Sequence, residues 1–204
     1  MTSLLQTITD LDRKDRILQN GCPTLMVPIY SSLPDLAIGY RRFLMARDGL
    51  WLEAKPPWGH FRFPLWFSPG PLPYGRVDSV TVLVSGPVPP ELIDLCRNEA
   101  TRKAKILKEW VGWIVWDEEG GYEYLPLEII EATEVSIRYK VPVLPEGTSL
   151  VMDFHSHPFS MAHFSGTDDH DDQGGMYYSG IFSFDSGMNS KLTLRLCLEG
   201  FFFE

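Results

Sequence analysis

The chain has 204 residues, enough for one large domain or two small ones, and its 44% apolar content is ample for packed cores. A formal net charge of −9 excludes a protein that works through a basic face, and with it direct nucleic-acid binding and attraction to an anionic membrane surface. The three cysteines, Cys22, Cys96 and Cys197, show no pairing pattern and no C-x-x-C, and no apolar run approaches a membrane span. The expectation is therefore a cytoplasmic protein with reduced core thiols.

Residues 1 to about 20 predict a modest helix with Leu4, Ile8 and Leu11 on one side; Leu4 to Ile8 is too short and polar for a signal peptide. Thr24 to Tyr30 is apolar and β-prone. Arg41 to Ala46 and Leu50 to Ala54 flank Arg47-Asp48-Gly49, and Asp-Gly is the strongest short hairpin signal. Trp51, Trp58, Phe61, Phe63, Trp66 and Phe67 then crowd one span. The bulky core of a small β unit accounts for them better than a ligand platform does, and His60 among them carries no signal. Ser68-Pro-Gly-Pro-Leu-Pro-Tyr-Gly75 is the best linker in the chain. It divides a small aromatic-rich, β-containing domain, 1–75, from a second domain, 76–204.

Ser79 to Ser85 reads as the first strand of the second domain. From Pro90 to Lys108 the pattern is helical, with Leu92, Cys96, Ala100, Ala104 and Leu107 recurring at three or four residues and Arg102, Lys103, Lys105 and Lys108 on a solvated face. Trp110 to Trp116 is a short apolar run that predicts a central strand. It forms a hairpin with Tyr122 to Leu125 around Asp117-Glu-Glu-Gly-Gly121. Thr133 to Tyr139 alternates and is expected to continue the sheet. Gly180 to Phe184 and Leu192 to Leu198 supply two late strands, and Phe201 to Phe203 should be packed or paired, since three exposed phenylalanines would invite association.

The chemistry concentrates in Asp153-Phe-His155-Ser-His157-Pro158 and the Asp168 that follows after ten further residues. Leu150 to Phe154 predicts a buried strand, at whose end His155 and His157 share a face while Ser156 points away. Pro158 stops the strand and a loop returns Asp168 to the same place. Two imidazoles and a carboxylate make a three-ligand zinc set with an open fourth position, as catalytic sites have. Ser165 to Asp168 also reads as S-x-x-D, a helix N-terminus, and the two readings compete for the Asp168 carboxylate. Gly174-Gly175 should end that helix early. Glu109, at the handover from helix to central strand, reads either as a solvated helix-end residue, the commoner case, or, beside a metal, as the candidate general base; the alternatives Glu118, Glu119 and Glu123 fall in or near a turn. His163 reads as a loop residue, and Asp169, His170, Asp171 and Asp172 as a solvated acidic helix start.

A glutamate at the head of a strand, then His-Ser-His-Pro, then Ser-x-x-Asp resembles the signature of the JAMM (MPN-plus, JAB-type) zinc metallopeptidases over roughly Val77 to Phe203. The resemblance implies an α+β fold: a mixed β-sheet flanked by helices, cytidine-deaminase-like, behind the small N-terminal domain. It implies one Zn2+ held by His155, His157 and Asp168, with Glu109 polarising the water and Ser165 helping to hold the oxyanion. Phe164 to Asp172, the Trp-Ile-Val-Trp-Asp strand and Arg195 to Gly200 are similar to the PRTRC system protein A family. Its members resemble bacterial JAMM peptidases encoded with a ThiF-like activating enzyme and a ParB-related protein. The implied activity is hydrolysis of an amide or isopeptide bond in the tail or conjugates of a ubiquitin-like protein. The rival readings are a non-catalytic MPN-type scaffold, against which the complete ligand set speaks, and a structural zinc site, against which the lack of a cysteine ligand speaks.

Overall fold

The computed structural model describes residues 13–158 and 163–204. The chain divides into two compact units, Met1–Val84 and Ser85–Glu204. No described helix is long and apolar enough to cross a membrane.

In the first unit a helix, α1 (Arg13–Gly21), precedes strands β1 (Thr24–Met26), β2 (Tyr40–Ala46), β3 (Gly49–Lys55), β4 (Gly59–Phe67) and β5 (Val80–Leu83). Most of the helix expected over the first twenty residues lies outside the described residues. Among those described, the strands form one sheet in the order β1-β2-β3-β4-β5, with β1 parallel to β2 and the other pairs antiparallel. The β2–β3 hairpin closes with Ala46 opposite Gly49, so its two turn residues are Arg47 and Asp48, and Gly49 is already the first residue of β3. Strand β3 is central and buried on both faces: Trp51 packs with Val27, Leu44 and Ala46, while Leu52 and Ala54 share the other face with Phe61. Trp58 meets Phe61 edge-on at 5.2 Å between ring centroids, so these aromatics are core, whereas Trp66 and Phe67 are exposed. Residues 79–85 depart from expectation. They do not open the second unit's sheet, because Val80–Leu83 pairs with β4 at the edge of the first.

Glu53 is the surprise of this unit. It is 1% exposed, and its Oε2 accepts from Arg42 Nε at 2.6 Å. Its Oε1 meets His60 Nε2 at 2.9 Å and an Arg62 guanidinium N–H. Burial pushes its pKa up, but the hydrogen bonds from Arg62, His60 and Arg42 outweigh burial and hold the carboxyl below its usual range. His60, which seemed to carry no signal, belongs to this ion cluster.

The second unit holds α2 (Pro90–Ala104), β6 (Val111–Asp117), β7 (Gly121–Pro126), β8 (Glu128–Ala132), β9 (Ile137–Lys140), β10 (Ser149–His157), α3 (Gly166–Asp171), β11 (Met176–Phe184), β12 (Ser190–Leu198) and β13 (Phe201–Phe203). Its main sheet runs β13-β12-β11-β10-β6-β7; β10 and β11 are parallel and their neighbours antiparallel, so the sheet is mixed. Strands β8 and β9 form a separate two-stranded sheet rather than continuing the main one. The Phe201–Phe203 strand is paired to β12.

Helix α2 begins with proline in its first turn and Glu91 near its N-terminus, and ends with Arg102 and Lys103, a charge order that suits the helix dipole. It lies on the sheet through Cys96, Ala100 and Ala104, each 0% exposed; small residues at this spacing allow close approach. Leu107 was expected on this buried face but stands outside the helix. It adopts a φ of 53° and is exposed, and the Lys108 N–H reaches back to the Lys103 carbonyl at 3.1 Å. This left-handed turn ends the helix and aims the chain at Glu109.

Candidate metal centre

A parallel pair needs a crossover, and residues 158–175 provide it between β10 and β11. The site is built where β10 ends and this crossover begins. His155 and His157 project from one face of β10 and bring their Nε2 atoms to 3.2 Å. Phe154 and Ser156, on the opposite face, are fully buried.

Ser165 caps α3. Its Oγ accepts from the Asp168 N–H at 3.3 Å, and Asp168 Oδ2 accepts from the Ser165 N–H at 2.6 Å, a complete capping box. The other oxygen, Oδ1, lies 3.2 Å from His155 Nε2. The expected competition for Asp168 does not arise, because a carboxylate has two oxygens and each reading uses one. Asp172 begins a short 3-10 turn that runs to Gly174, and the helical segment stops there as expected.

Candidate ligand atoms of His155, His157 and Asp168 all lie within 4.8 Å of one another. Around a tetrahedral zinc with bonds of about 2.0–2.1 Å, neighbouring donors stand roughly 3.3 Å apart. Both measured separations, 3.2 Å from His155 Nε2 to its two neighbours, match that edge. The donor set fits the ion: nitrogen and oxygen, three protein ligands, and one position left over.

Glu109 is 8% exposed and lines the same cleft of about 310 Å³ as the three donors and Ser165. Its backbone is tethered on both sides. The Glu109 N–H donates to the Thr133 carbonyl at 2.8 Å. The next residue, Trp110, is held by Ser156, whose Oγ accepts the Trp110 N–H at 2.9 Å and whose N–H donates to the Trp110 carbonyl at 2.9 Å. Ser156 therefore joins the histidine strand to the glutamate, a role that its turn away from the histidines did not reveal in the sequence. Replacing Ser156 with alanine leaves the Trp110 N–H unpaired in the core and is expected to cost about 1–3 kcal/mol. An unchanged urea midpoint would show that the brace carries no load.

A family model described as prokaryotic homologs of the JAB domain matches residues 90–193. The chain belongs to this family. A second model, a domain of unknown function (DUF2016), matches residues 12–84. No curated protein and no solved structure matches the chain. The JAB domain thus occupies the second unit, and all five residues singled out by the sequence lie inside it.

Burial and neighbouring charges together move ionisable groups of the JAB-domain cleft away from their ordinary pKa values. Burial pushes Glu109 up to about 7, with the His155 charge opposing and the Asp168 charge adding to the rise. Burial also raises Asp168, but the hydrogen bond and charge of His155, together with the Ser165 hydrogen bonds, outweigh it and hold the carboxyl well below its usual range. Burial lowers His155, and its hydrogen bond to Asp168 and the carboxylates around it reverse that. Asp153, on the histidine face of β10, is pushed up to about 7 by burial. The cleft is lined by carboxylates from Glu109, Asp153, Asp168, Asp171 and Asp172, and among the described residues by no lysine or arginine.

Of the decoys, His163 and His170 are exposed and lie outside the donor group found among the described residues. The acidic run corrects the sequence reading. Asp172 is 5% exposed rather than solvated, and Asp169 and Asp172 are both paired with Arg195 of β12. Glu118, Glu119 and Glu123 are exposed and line no part of the cleft.

Proposed function

We propose that this chain is a zinc-dependent hydrolase of amide or isopeptide bonds of the JAMM type, with a cytidine-deaminase-like catalytic unit. The observation that carries the reading is the grouping of His155, His157 and Asp168, with both distances from His155 Nε2 of zinc-site length, in one cleft with the buried carboxyl of Glu109. His155, His157 and Asp168 would hold the metal. Zinc bound there would supply a Lewis acid for the scissile carbonyl and lower the pKa of water toward neutrality. Glu109 takes the proton from the attacking water and passes it to the departing nitrogen. Ser165 accepts from Asp168 through its oxygen and so retains its own O–H, which it donates to the developing oxyanion.

The substrate proposed is the C-terminal tail or an isopeptide conjugate of a ubiquitin-like protein, and a ThiF-like activating enzyme is the partner. Both follow from the likeness to JAMM peptidases and to the PRTRC system protein A family. A cleft lined by five carboxylates, with no lysine or arginine among its described lining residues, suits a tail without acidic side chains.

Metal analysis by mass spectrometry, wild type beside Asp168→Ala, tests the core of the reading. About one zinc per chain is expected in the wild type and none in the variant. A wild type that takes up no zinc even in excess metal would end the enzyme reading.

A further inference from the structure

Two segments far apart in sequence, Phe164 to Asp172 and Arg195 to Gly200, dock on each other. Arg195 is 4% exposed, and its guanidinium lies between two rings, 3.8 Å from the Phe164 centroid and 4.2 Å from that of Phe202. The same guanidinium donates to Asp172 Oδ2 from Nη2 at 2.7 Å and from Nε at 3.2 Å, and its Nη1 pairs with Asp169. Asp172 is further held by the Tyr177 hydroxyl at 2.9 Å. Just beyond, the Glu199 N–H donates to the Gly175 carbonyl at 2.7 Å. Phe164 precedes the Ser165 cap, and Asp169 follows Asp168. Arg195 thus grips the chain on both sides of the capping box without lining the cleft.

We propose that Arg195 is a positioning residue: it sets α3 against the sheet so that Asp168 faces His155 before any metal arrives. A helix of six residues has little stability of its own. Something outside it must fix its rotation, and an Asp168 carboxylate turned away from β10 would still cap Ser165 but would not meet the histidines. Arginine suits the task because its planar fork reaches two carboxylates while its faces stack on aromatic rings.

The metal consequence rests on the zinc reading above; the geometric claim does not, and the experiment separates them. Amide hydrogen exchange in metal-free protein is followed by NMR, and zinc affinity is measured by competition with a chromophoric chelator. In Arg195→Met, the Asp168 and Asp169 amides should exchange at least tenfold faster while β10 and β11 keep their protection, and zinc Kd should rise tenfold to a hundredfold, the range seen for residues that orient ligands. Arg195→Lys, which keeps the charge but loses the fork, should restore only part of either. A residue serving only global stability would loosen β10, β11 and α3 together, and that pattern would overturn the proposal, as would α3 exchange within twofold of the wild type. Should Arg195→Met fail to fold, Asp169→Asn decides. Its side chain is about half exposed, so it tests one arm of the grip without opening the core; α3 exchange should rise at least threefold, and wild-type exchange would refute the proposal. If the wild type binds no zinc, the metal reading falls and Arg195 is judged on amide exchange alone.

Discussion

Glu109→Gln is expected to keep the metal and lose turnover. The substitution preserves shape and removes only the carboxylate's ability to accept a proton. On any tail or conjugate that the wild type cleaves, kcat should fall by about 10² to 10⁴, the usual contribution of a positioned base. Zinc content should stay equal to that of the wild type, because Glu109 is not among the three donors. Undiminished cleavage would mean that Glu109 is not the base.

The same variant has a second signature in chelator-treated protein. Burial raises the Glu109 carboxyl to about 7. A raised carboxyl binds a proton more tightly in the folded chain than in the unfolded one. Its contribution is therefore fully present below the ordinary glutamate pKa and is lost as pH rises through about 7. Glutamine has no such loss, so Glu109→Gln should gain stability relative to wild type between pH 5 and pH 8. An identical pH dependence for the two proteins would show that Glu109 titrates normally.

Phe154→Ala should be the most damaging single change in the second unit. Phe154 is fully buried on β10 and stacks obliquely on Phe182 of β11, with centroids 5.2 Å apart. Its ring fills the space above Gly180, where any Cβ would stand 2.5 Å from two ring carbons. Truncation leaves a cavity that Gly180 cannot fill, and losses of about 3–5 kcal/mol are usual for a buried phenylalanine. Because Phe154 sits between Asp153 and His155, collapse of the cavity should also displace the histidine face. The check is faster exchange of the β10 and β11 amides together with weakened zinc uptake. A loss under about 1 kcal/mol would mean that neighbouring side chains refill the site.

The site was more legible in the sequence than the fold around it. His155 and His157 could be placed because a strand has a period of two, and Asp168 because a loop after Pro158 could return it to them; the Ser-x-x-Asp helix start was read as a rival for the same carboxylate. Where long-range pairing decides, the sequence was silent. Nothing local says that Val80–Leu83 pairs back onto β4, or that β8 and β9 leave the main sheet to form their own. The Arg195 grip was hidden for the same reason. An arginine in an apolar strand and an acidic run after a serine cap look like separate surface features until the parallel crossover brings them together. Leu107 failed differently: its apolar side chain fits the helical period, but the backbone has already turned left-handed before reaching it.

With the Asp168 carboxylate so divided, a metal bound there would be in linked equilibrium with the helix start. One oxygen holds the first turn of α3 and the other faces His155. A cation that settles against Oδ1 orders the same side chain that Oδ2 needs for the cap, and a formed cap spares the cation the entropy of ordering it. By reciprocity, whatever free energy the closed helix start lends to metal affinity, bound metal returns to the helix start.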